Sequence, residues 1–253
     1  VKILKSPEIV KAALIGFPTI EAAGNCVAAI IAEPVSAAFG IQIPPQEYWQ
    51  RLREIANKYN VLLIADEVIT GFGRLGNAFA ANRFRVYPDL ITMAKGITNA
   101  TVPMGAVGVT SEIYNTLYKT HKTGIELFHG YTYSGHPLAC AAGIATLETY
   151  EEEDLFNRAR KMEKYFGDQA HSLSDLNMVE DIRNIGMVAG IELSKRNNSS
   201  TTLGRDVFEK CFDYGVMVRF TGNTIALSPP LIVSKKEINQ IFVTLRKAIR
   251  EVF

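Results

Sequence analysis

The chain has 253 residues, of which 47% are hydrophobic and 21% are charged, as is usual for a globular protein with a substantial core. Its 27 basic and 26 acidic residues give a net charge of +1, which offers no electrostatic basis for binding nucleic acid or a membrane surface. Polar residues, Gly or Pro interrupt every apolar stretch well before the roughly 18 positions that a membrane span needs. Cys26, Cys140 and Cys211 are widely separated, and we interpret them as reduced thiols of a cytoplasmic protein.

The first part of the chain predicts strands that alternate with helices. Short apolar runs predict strands over residues 27–32, 61–65, 90–93 and 106–109. The spacing of apolar residues predicts a helix over 46–60, and Pro137 suits the first position of a helix that reaches about residue 150. This alternation is typical of an α/β domain with buried parallel strands.

After the acidic cluster at residues 151–154 the pattern changes to shorter elements. An amphipathic helical stretch runs to about residue 174. Strands are then predicted over residues 182–185, 187–193, 216–219 and 224–227, and helices over 205–214 and 235–253. This mixture is typical of an α+β domain. The sequence therefore predicts two domains, residues 1–152 and residues 153–253.

Residues 61–67, Val-Leu-Leu-Ile-Ala-Asp-Glu, form an apolar run that ends in a carboxylate. Such a run predicts a buried strand that brings Asp66 to the edge of a sheet. An aspartate that merely caps the following turn has the same pattern. The acidic strand of a P-loop ATPase also looks like this, but that class requires Gly-x-x-x-x-Gly-Lys-Ser/Thr, which the sequence lacks.

Lys95 repeats this arrangement with an amine, because it follows the predicted strand 90–93 and precedes Gly96. An isolated lysine is usually a surface residue. A carboxylate and an amine at strand ends are, however, the two protein groups that a pyridoxal phosphate enzyme needs most. The lysine forms a Schiff base with the cofactor, and the acid keeps the pyridine nitrogen protonated.

Several segments around these residues resemble the class III aminotransferases. The similar segments are residues 66–74, 88–96, 103–106, 129–139, Arg219 and 226–231. The resemblance extends from about residue 28 onward and is greatest to the omega-amino-acid:pyruvate, or β-alanine-type, branch. It implies an α/β chain of the fold-type I pyridoxal phosphate-dependent transferases, with part of the large mixed or parallel-sheet domain followed by a small α+β C-terminal domain.

The resemblance also implies roles for individual residues at the cofactor. Lys95 is the lysine that carries pyridoxal 5'-phosphate and moves the proton, and Asp66 is the acid at the ring nitrogen. Val68 packs on the ring, and Glu33 positions Asp66 and its loop. Thr132 contacts the cofactor phosphate of the neighbouring subunit, which implies a homodimer with shared active sites; from its chemistry alone, this loop could equally be a helix cap.

Arg219 is the residue that the resemblance assigns to the substrate carboxylate, a task suited to a guanidinium. Without the resemblance it could equally be an ordinary salt-bridging residue. The four histidines, His121, His129, His136 and His171, lack the spacing of metal ligands, so no metal site is expected.

The resemblance implies transfer of an amino group from an omega-amino acid or amine to pyruvate or a similar 2-oxo acid. A pyridoxal phosphate-dependent decarboxylase or an aminomutase would share Asp66 and Lys95, so both alternatives stay open. We find neither the Gly/Ser-rich phosphate turn nor the aromatic residue that stacks on the ring. We therefore expect the chain to correspond to the later part of a longer family member, with a catalytically incompetent fragment as the alternative.

Overall fold

The computed structural model describes residues 2–4, 27–120, 129, 131–194 and 203–252, with the backbone alone at 2–4 and 118–120. They divide into two compact units. The first unit comprises the described parts of 1–34, 46–71 and 84–153, and the second comprises 35–45, 72–83 and the described parts of 154–253. Two segments that lie early in the sequence therefore belong to the second unit. The predicted domain division at residues 152 and 153 stays a prediction.

The first unit is built on a five-stranded sheet. Its strands are β1 (Lys2–Leu4), β2 (Val27–Ala32), β3 (Leu62–Asp66), β4 (Leu90–Met93) and β5 (Ala106–Val109), in this spatial order. The first four strands are parallel, and β5 pairs with β4 in the antiparallel direction. The strands predicted over 27–32, 90–93 and 106–109 are confirmed, and the one predicted over 61–65 is shifted by one residue.

Helices occur in both units. Within the described residues they are α1 (Tyr48–Lys58), α2 (Ala80–Arg83), α3 (Ser111–Thr120), α4 (Pro137–Glu152), α5 (Leu155–His171), α6 (Leu203–Asp213) and α7 (Lys235–Val252). Pro137 is the first residue of α4, as predicted. None of these helices has the length and apolar character that a membrane crossing requires.

Helix α1 shows how the chain enters the central strand. Trp49, Leu52 and Ile55 form its buried face, and their spacing is the one from which the sequence predicts this helix. The helix ends where Asn60 adopts a left-handed backbone with φ 52°, and Val61 N donates to Ala56 O at 2.8 Å. This reversal leads directly into β3, so the amphipathic helix and the apolar strand are packed as one α/β unit.

The second unit contains an antiparallel sheet of four strands. They are β6 (Val179–Ile185), β7 (Val188–Leu193), β8 (Arg219–Thr221) and β9 (Thr224–Leu227), in the spatial order β6-β7-β9-β8. The helices of this unit contribute Phe166 and Phe242 to its core, and their rings meet edge to face at 5.6 Å between centroids.

The strand predicted over residues 216–219 is wrong, because β8 begins only at Arg219. A two-residue turn at Gly222 and Asn223 sets the register of the hairpin, which places Arg219 opposite Ala226. Val216 and Val218 are buried in the core without being part of a strand. Their apolar character reflects burial, and burial alone does not distinguish a strand from irregular backbone.

Arginine side chains fix segment 72–83 within the second unit. Arg83 forms a two-pronged ion pair with Glu163, with both N–O distances at 2.8 Å. Arg160 donates from Nε and Nη2 to Gly76 O, at 3.2 and 2.8 Å. Segment 72–83 is thus attached to α5 by planar guanidinium groups, one donating from the segment to the Glu163 carboxylate and one donating from α5 to the Gly76 carbonyl.

Candidate active site

Asp66 is the last residue of β3, and it faces Thr92 of β4 across the parallel pairing. Its Oδ1 accepts a hydrogen bond from Thr92 Oγ1 at 3.1 Å and from Val68 N at 3.2 Å. The bond to Val68 is the turn cap that a purely structural aspartate would also make. Both bonds fall on Oδ1, and no described residue donates to Oδ2, so the half-buried carboxylate is oriented while one oxygen stays available.

Glu67 is a site residue to which the sequence interpretation gave no role. It is fully buried and accepts a hydrogen bond from Thr70 Oγ1 at 2.5 Å. Its backbone is also fixed, because Glu67 N donates to Thr92 O at 3.0 Å and Gly71 N donates to Glu67 O at 2.9 Å. Glu67 therefore gives the loop after Asp66 a defined shape. The threonine three residues later was the local signal for this contact.

Lys95 lies two residues beyond the end of β4 and begins a 3-10 turn over Lys95–Ile97. Its backbone is left-handed, with φ 47°, which is uncommon for a residue with a side chain. The carbonyl of Lys95 accepts hydrogen bonds from Thr98 N at 3.3 Å and Ala100 N at 3.1 Å. The side chain is exposed, and no described residue forms an ion pair or hydrogen bond with its Nζ. The amine is therefore available to a ligand.

The fold brings Asp66 and Lys95 to the same edge of the sheet. Asp66 ends β3, and Lys95 follows the adjacent parallel strand β4, three residues beyond Thr92, the partner of Asp66. The carboxyl ends of parallel strands are where ligands bind in open α/β sheets. An oriented carboxylate and an unpaired amine also suit pyridoxal phosphate, which needs an anion at its ring nitrogen and an amine that can react with its aldehyde.

Glu33 and Val68 occupy positions next to this edge. Glu33 directly follows β2, whose last residue, Ala32, pairs with Ala65 of β3. Glu33 is half-buried, one residue beyond the strand end that neighbours Asp66. Val68 is half-buried as well and holds Asp66 through its backbone N–H. Glu33 therefore follows the strand next to that of Asp66, and Val68 contacts Asp66 directly. The roles of both residues stay predictions.

Thr132 lies in a different part of the first unit. It is exposed in a turn closed by Ser134 N donating to Tyr131 O at 3.0 Å, just before α4. The turn lines a pocket of about 740 Å³. The other side of this pocket is formed by residues 102–105, and Asp66 and Lys95 are not among its lining residues. Thr132 is therefore not grouped with the two strand-end residues.

Arg219 belongs to the second unit, where it is exposed at the start of β8. It borders a pocket of about 490 Å³ whose lining is mainly apolar, including Phe208, Met217 and Pro229. A guanidinium at the rim of an apolar pocket suits a carboxylate that is attached to a hydrocarbon. Within the described residues, no group of three or more His, Cys, Asp or Glu could hold a metal ion.

Comparison with known proteins gives one consistent family. The model of the class-III aminotransferases matches residues 8–249. An omega-aminotransferase of Caulobacter vibrioides is 56% identical over 226 residues, which are 89% of this chain and 52% of that protein. A beta-alanine–pyruvate aminotransferase of Pseudomonas aeruginosa is 40% identical over 225 residues, 88% of this chain and 50% of that protein.

Solved structures agree with these sequence matches. The crystal structure of the omega transaminase from Pseudomonas jessenii in complex with PMP superposes with a TM-score of 0.90 at 31% identity. The match covers 98% of this chain and 57% of that one, and the chain spans about half the length of the curated relatives that it matches. The fold is that of the pyridoxal phosphate-dependent transferases of fold type I. The chain belongs to the class III aminotransferases, a family of pyridoxal phosphate-dependent enzymes.

Proposed function

We propose that this protein transfers an amino group from an omega-amino acid or amine to pyruvate or a similar 2-oxo acid. The observation that carries the proposal is the position of Asp66 and Lys95 at the carboxyl ends of adjacent parallel strands. The similarity to omega-amino-acid and beta-alanine–pyruvate aminotransferases supports the choice of substrates. Pyridoxal phosphate, when bound, supplies an electron-withdrawing ring that stabilises negative charge on the substrate carbon.

Lys95 would attach the cofactor. Its Nζ makes no ion pair or hydrogen bond with any described residue, so the amine can condense with the cofactor aldehyde and release one water molecule. Once displaced by the amino donor, the same amine could take the proton from the substrate carbon that bears the nitrogen and deliver it to the carbon on the other side of that nitrogen. The side chain is exposed on the turn after β4, so it is accessible to a bound cofactor and donor.

Asp66 would hold the protonated ring nitrogen. Its Oδ1 is fixed by Thr92 and Val68, which orients the carboxylate, and its Oδ2 receives no hydrogen bond from the described residues. A fixed anion at that position stabilises a positive charge without having to reorganise. Val68 would contact the ring, and Glu33 would support the loop that carries Asp66.

Thr132 and Arg219 would bind the cofactor phosphate and the substrate carboxylate, respectively. Thr132 would contact the cofactor phosphate of a neighbouring copy in a homodimer, since its exposed turn offers a hydroxyl next to a helix start. Arg219 would bind the substrate carboxylate, because it is exposed at the rim of a mainly apolar pocket.

Two measurements test the proposal. Protein incubated with pyridoxal phosphate is reduced with borohydride and digested, and mass spectrometry should find the label on Lys95. The Lys95→Ala variant should lose this label, whereas Lys164→Ala should keep it, because Lys164 is a surface lysine with 84% of its side chain exposed. Incubation with β-alanine and pyruvate should then yield alanine.

Different outcomes separate the alternatives. A reducible label that persists in Lys95→Ala would overturn the assignment of this lysine. Carbon dioxide in place of alanine would indicate a decarboxylase, and isomerised donor would indicate an aminomutase. Labelling of Lys95 without any turnover of the tested donors would favour the catalytically incompetent fragment.

A further inference from the structure

The turn that carries Lys95 has a strained backbone. Lys95, Asn99 and Ala100 all adopt left-handed conformations, with φ of 47°, 49° and 59°. A left-handed backbone is disfavoured for a residue with a side chain. Strain of this kind persists only where surrounding contacts enforce it. The direction in which Lys95 leaves the backbone therefore depends on what holds this turn.

Hydrogen bonds within the turn hold its shape. Ile97 N donates to Ala94 O at 3.2 Å, and Ala100 N donates to Lys95 O at 3.1 Å. Two threonine hydroxyls add bonds of 2.6 Å, from Thr98 to Val102 O and from Thr101 to Thr98 O. All these bonds link residues close together in sequence, so they preserve the turn but leave its orientation to contacts with other elements.

Helix α4 makes such a contact through Tyr150. The hydroxyl of Tyr150 donates to Gly96 O at 2.8 Å, across 54 residues of sequence. Two turns earlier on the same face, Gly143 is buried so close to this region that a Cβ there would lie 3.6 Å from Ile97 O. The Gly96 carbonyl belongs to the peptide unit between Gly96 and Ile97, so Tyr150 holds the backbone of the residue that directly follows Lys95.

We propose that Tyr150 is a positioning residue for Lys95. By fixing the Gly96 carbonyl against α4, its hydroxyl sets the orientation of the turn and hence the direction of the Cα–Cβ bond of Lys95. This inference rests on the proposed attachment of the cofactor to Lys95. It makes Tyr150 a contributor to cofactor attachment without contact between Tyr150 and the cofactor.

The Tyr150→Phe variant tests the proposal, because it removes the hydroxyl and keeps the ring. Thr146→Val is the matched control on the same helix: it removes a half-buried hydroxyl that donates to Ala142 O at 2.7 Å, within the helix. In the cofactor-free protein, amide hydrogen exchange in peptides covering residues 95–101 should accelerate by about tenfold in Tyr150→Phe alone, as expected for one lost hydrogen bond.

The second readout is the fraction of bound pyridoxal phosphate that borohydride traps on Lys95 at saturation. Tyr150→Phe should bind the cofactor about tenfold more weakly, which is the equivalent of one hydrogen bond, and should trap a smaller fraction of it. A merely structural tyrosine would lower stability without changing this fraction. Thr146→Val should match the unmodified protein in both readouts.

The outcomes distinguish this inference from the proposed function. If the unmodified protein forms no link to Lys95, the proposed function fails and this inference fails with it. If the unmodified protein forms the link and Tyr150→Phe traps the same fraction, only the inference is overturned. Equal losses in Tyr150→Phe and Thr146→Val would also overturn it, because they would reflect general weakening of α4.

Discussion

Charged residues at the two ends of the five-stranded sheet differ in whether an ion pair neutralises them. At the amino end, Asp89 Oδ2 accepts from Leu63 N and from Arg53 Nη1, both at 2.7 Å, so its charge is paired by a cation. At the carboxyl end, Asp66 and Lys95 form no ion pair with the described residues. The charge of Asp89 is neutralised by another side chain of the protein, which stabilises the fold. The charges of Asp66 and Lys95 at the carboxyl end remain available for a ligand.

The strongest test of this comparison is Asp66→Asn. The substitution keeps the size of the side chain and an oxygen that can accept from Thr92, but removes the charge. Losing a charge partner of the ring nitrogen should slow amino transfer by roughly 10²- to 10⁴-fold, the equivalent of about 3–5 kcal/mol. Single-turnover kinetics with cofactor-loaded protein would measure this rate.

Stability should separate Asp66 from a structural acid. Because Asp66 makes no ion pair with the described residues, Asp66→Asn should change the free energy of unfolding by less than about 1 kcal/mol. A tenfold or smaller loss of rate, combined with a larger loss of stability, would mean that Asp66 is a strand-end cap.

Asp89→Asn should show the opposite behaviour. It removes the charge opposite Arg53, whose side chain is 20% exposed, and leaves that cation partly buried without its partner. We expect a loss of about 1–2 kcal/mol in the free energy of unfolding, measured with urea, because the pair is charge-assisted but partly exposed to water. The rate of amino transfer should stay within about twofold, since Asp89 lies at the other end of the strands. A rate loss comparable to that of Asp66→Asn would remove the distinction between the two ends.

Glu163→Gln extends the comparison to a structural ion pair in the second unit. Burial raises the pKa of Glu163, but hydrogen bonds from Arg83 and from Gly186 N, together with the charges of Arg83 and Arg160, outweigh it and hold the pKa below the ordinary value of 4.5. An acid with a lowered pKa stabilises the fold above its unfolded pKa, and this contribution is lost as the pH falls through the folded pKa.

The expected result is a pH-dependent difference in stability. At neutral pH, Glu163→Gln should be less stable than the unmodified protein by about 1 kcal/mol, and the difference should shrink at a pH of about 3. Urea unfolding at both pH values would measure it, with Lys164→Ala as a control that breaks only an exposed ion pair. A difference that is constant with pH would show that the charge of Glu163 does not contribute.

Local sequence was sufficient to locate the two central residues. The apolar run before Asp66 and the short strand before Lys95 predict strands; Asp66 is the last residue of β3, and Lys95 lies two residues beyond the end of β4. Pro137 likewise marks the start of α4. These predictions hold because a buried parallel strand needs continuous apolar residues and because proline fits the first turn of a helix.

The tertiary structure alone decided which partners these residues have. The pairing of Asp66 with Thr92 depends on strand register, and the bond from Tyr150 to Gly96 joins residues 54 positions apart. The left-handed backbone of Lys95 likewise has no signal in the sequence, because lysine does not favour it. Sequence pattern reports burial and local geometry, so it can place a reactive residue at the end of a strand. Which hydrogen bonds orient that residue is determined by contacts between distant segments, which form only when the chain is packed.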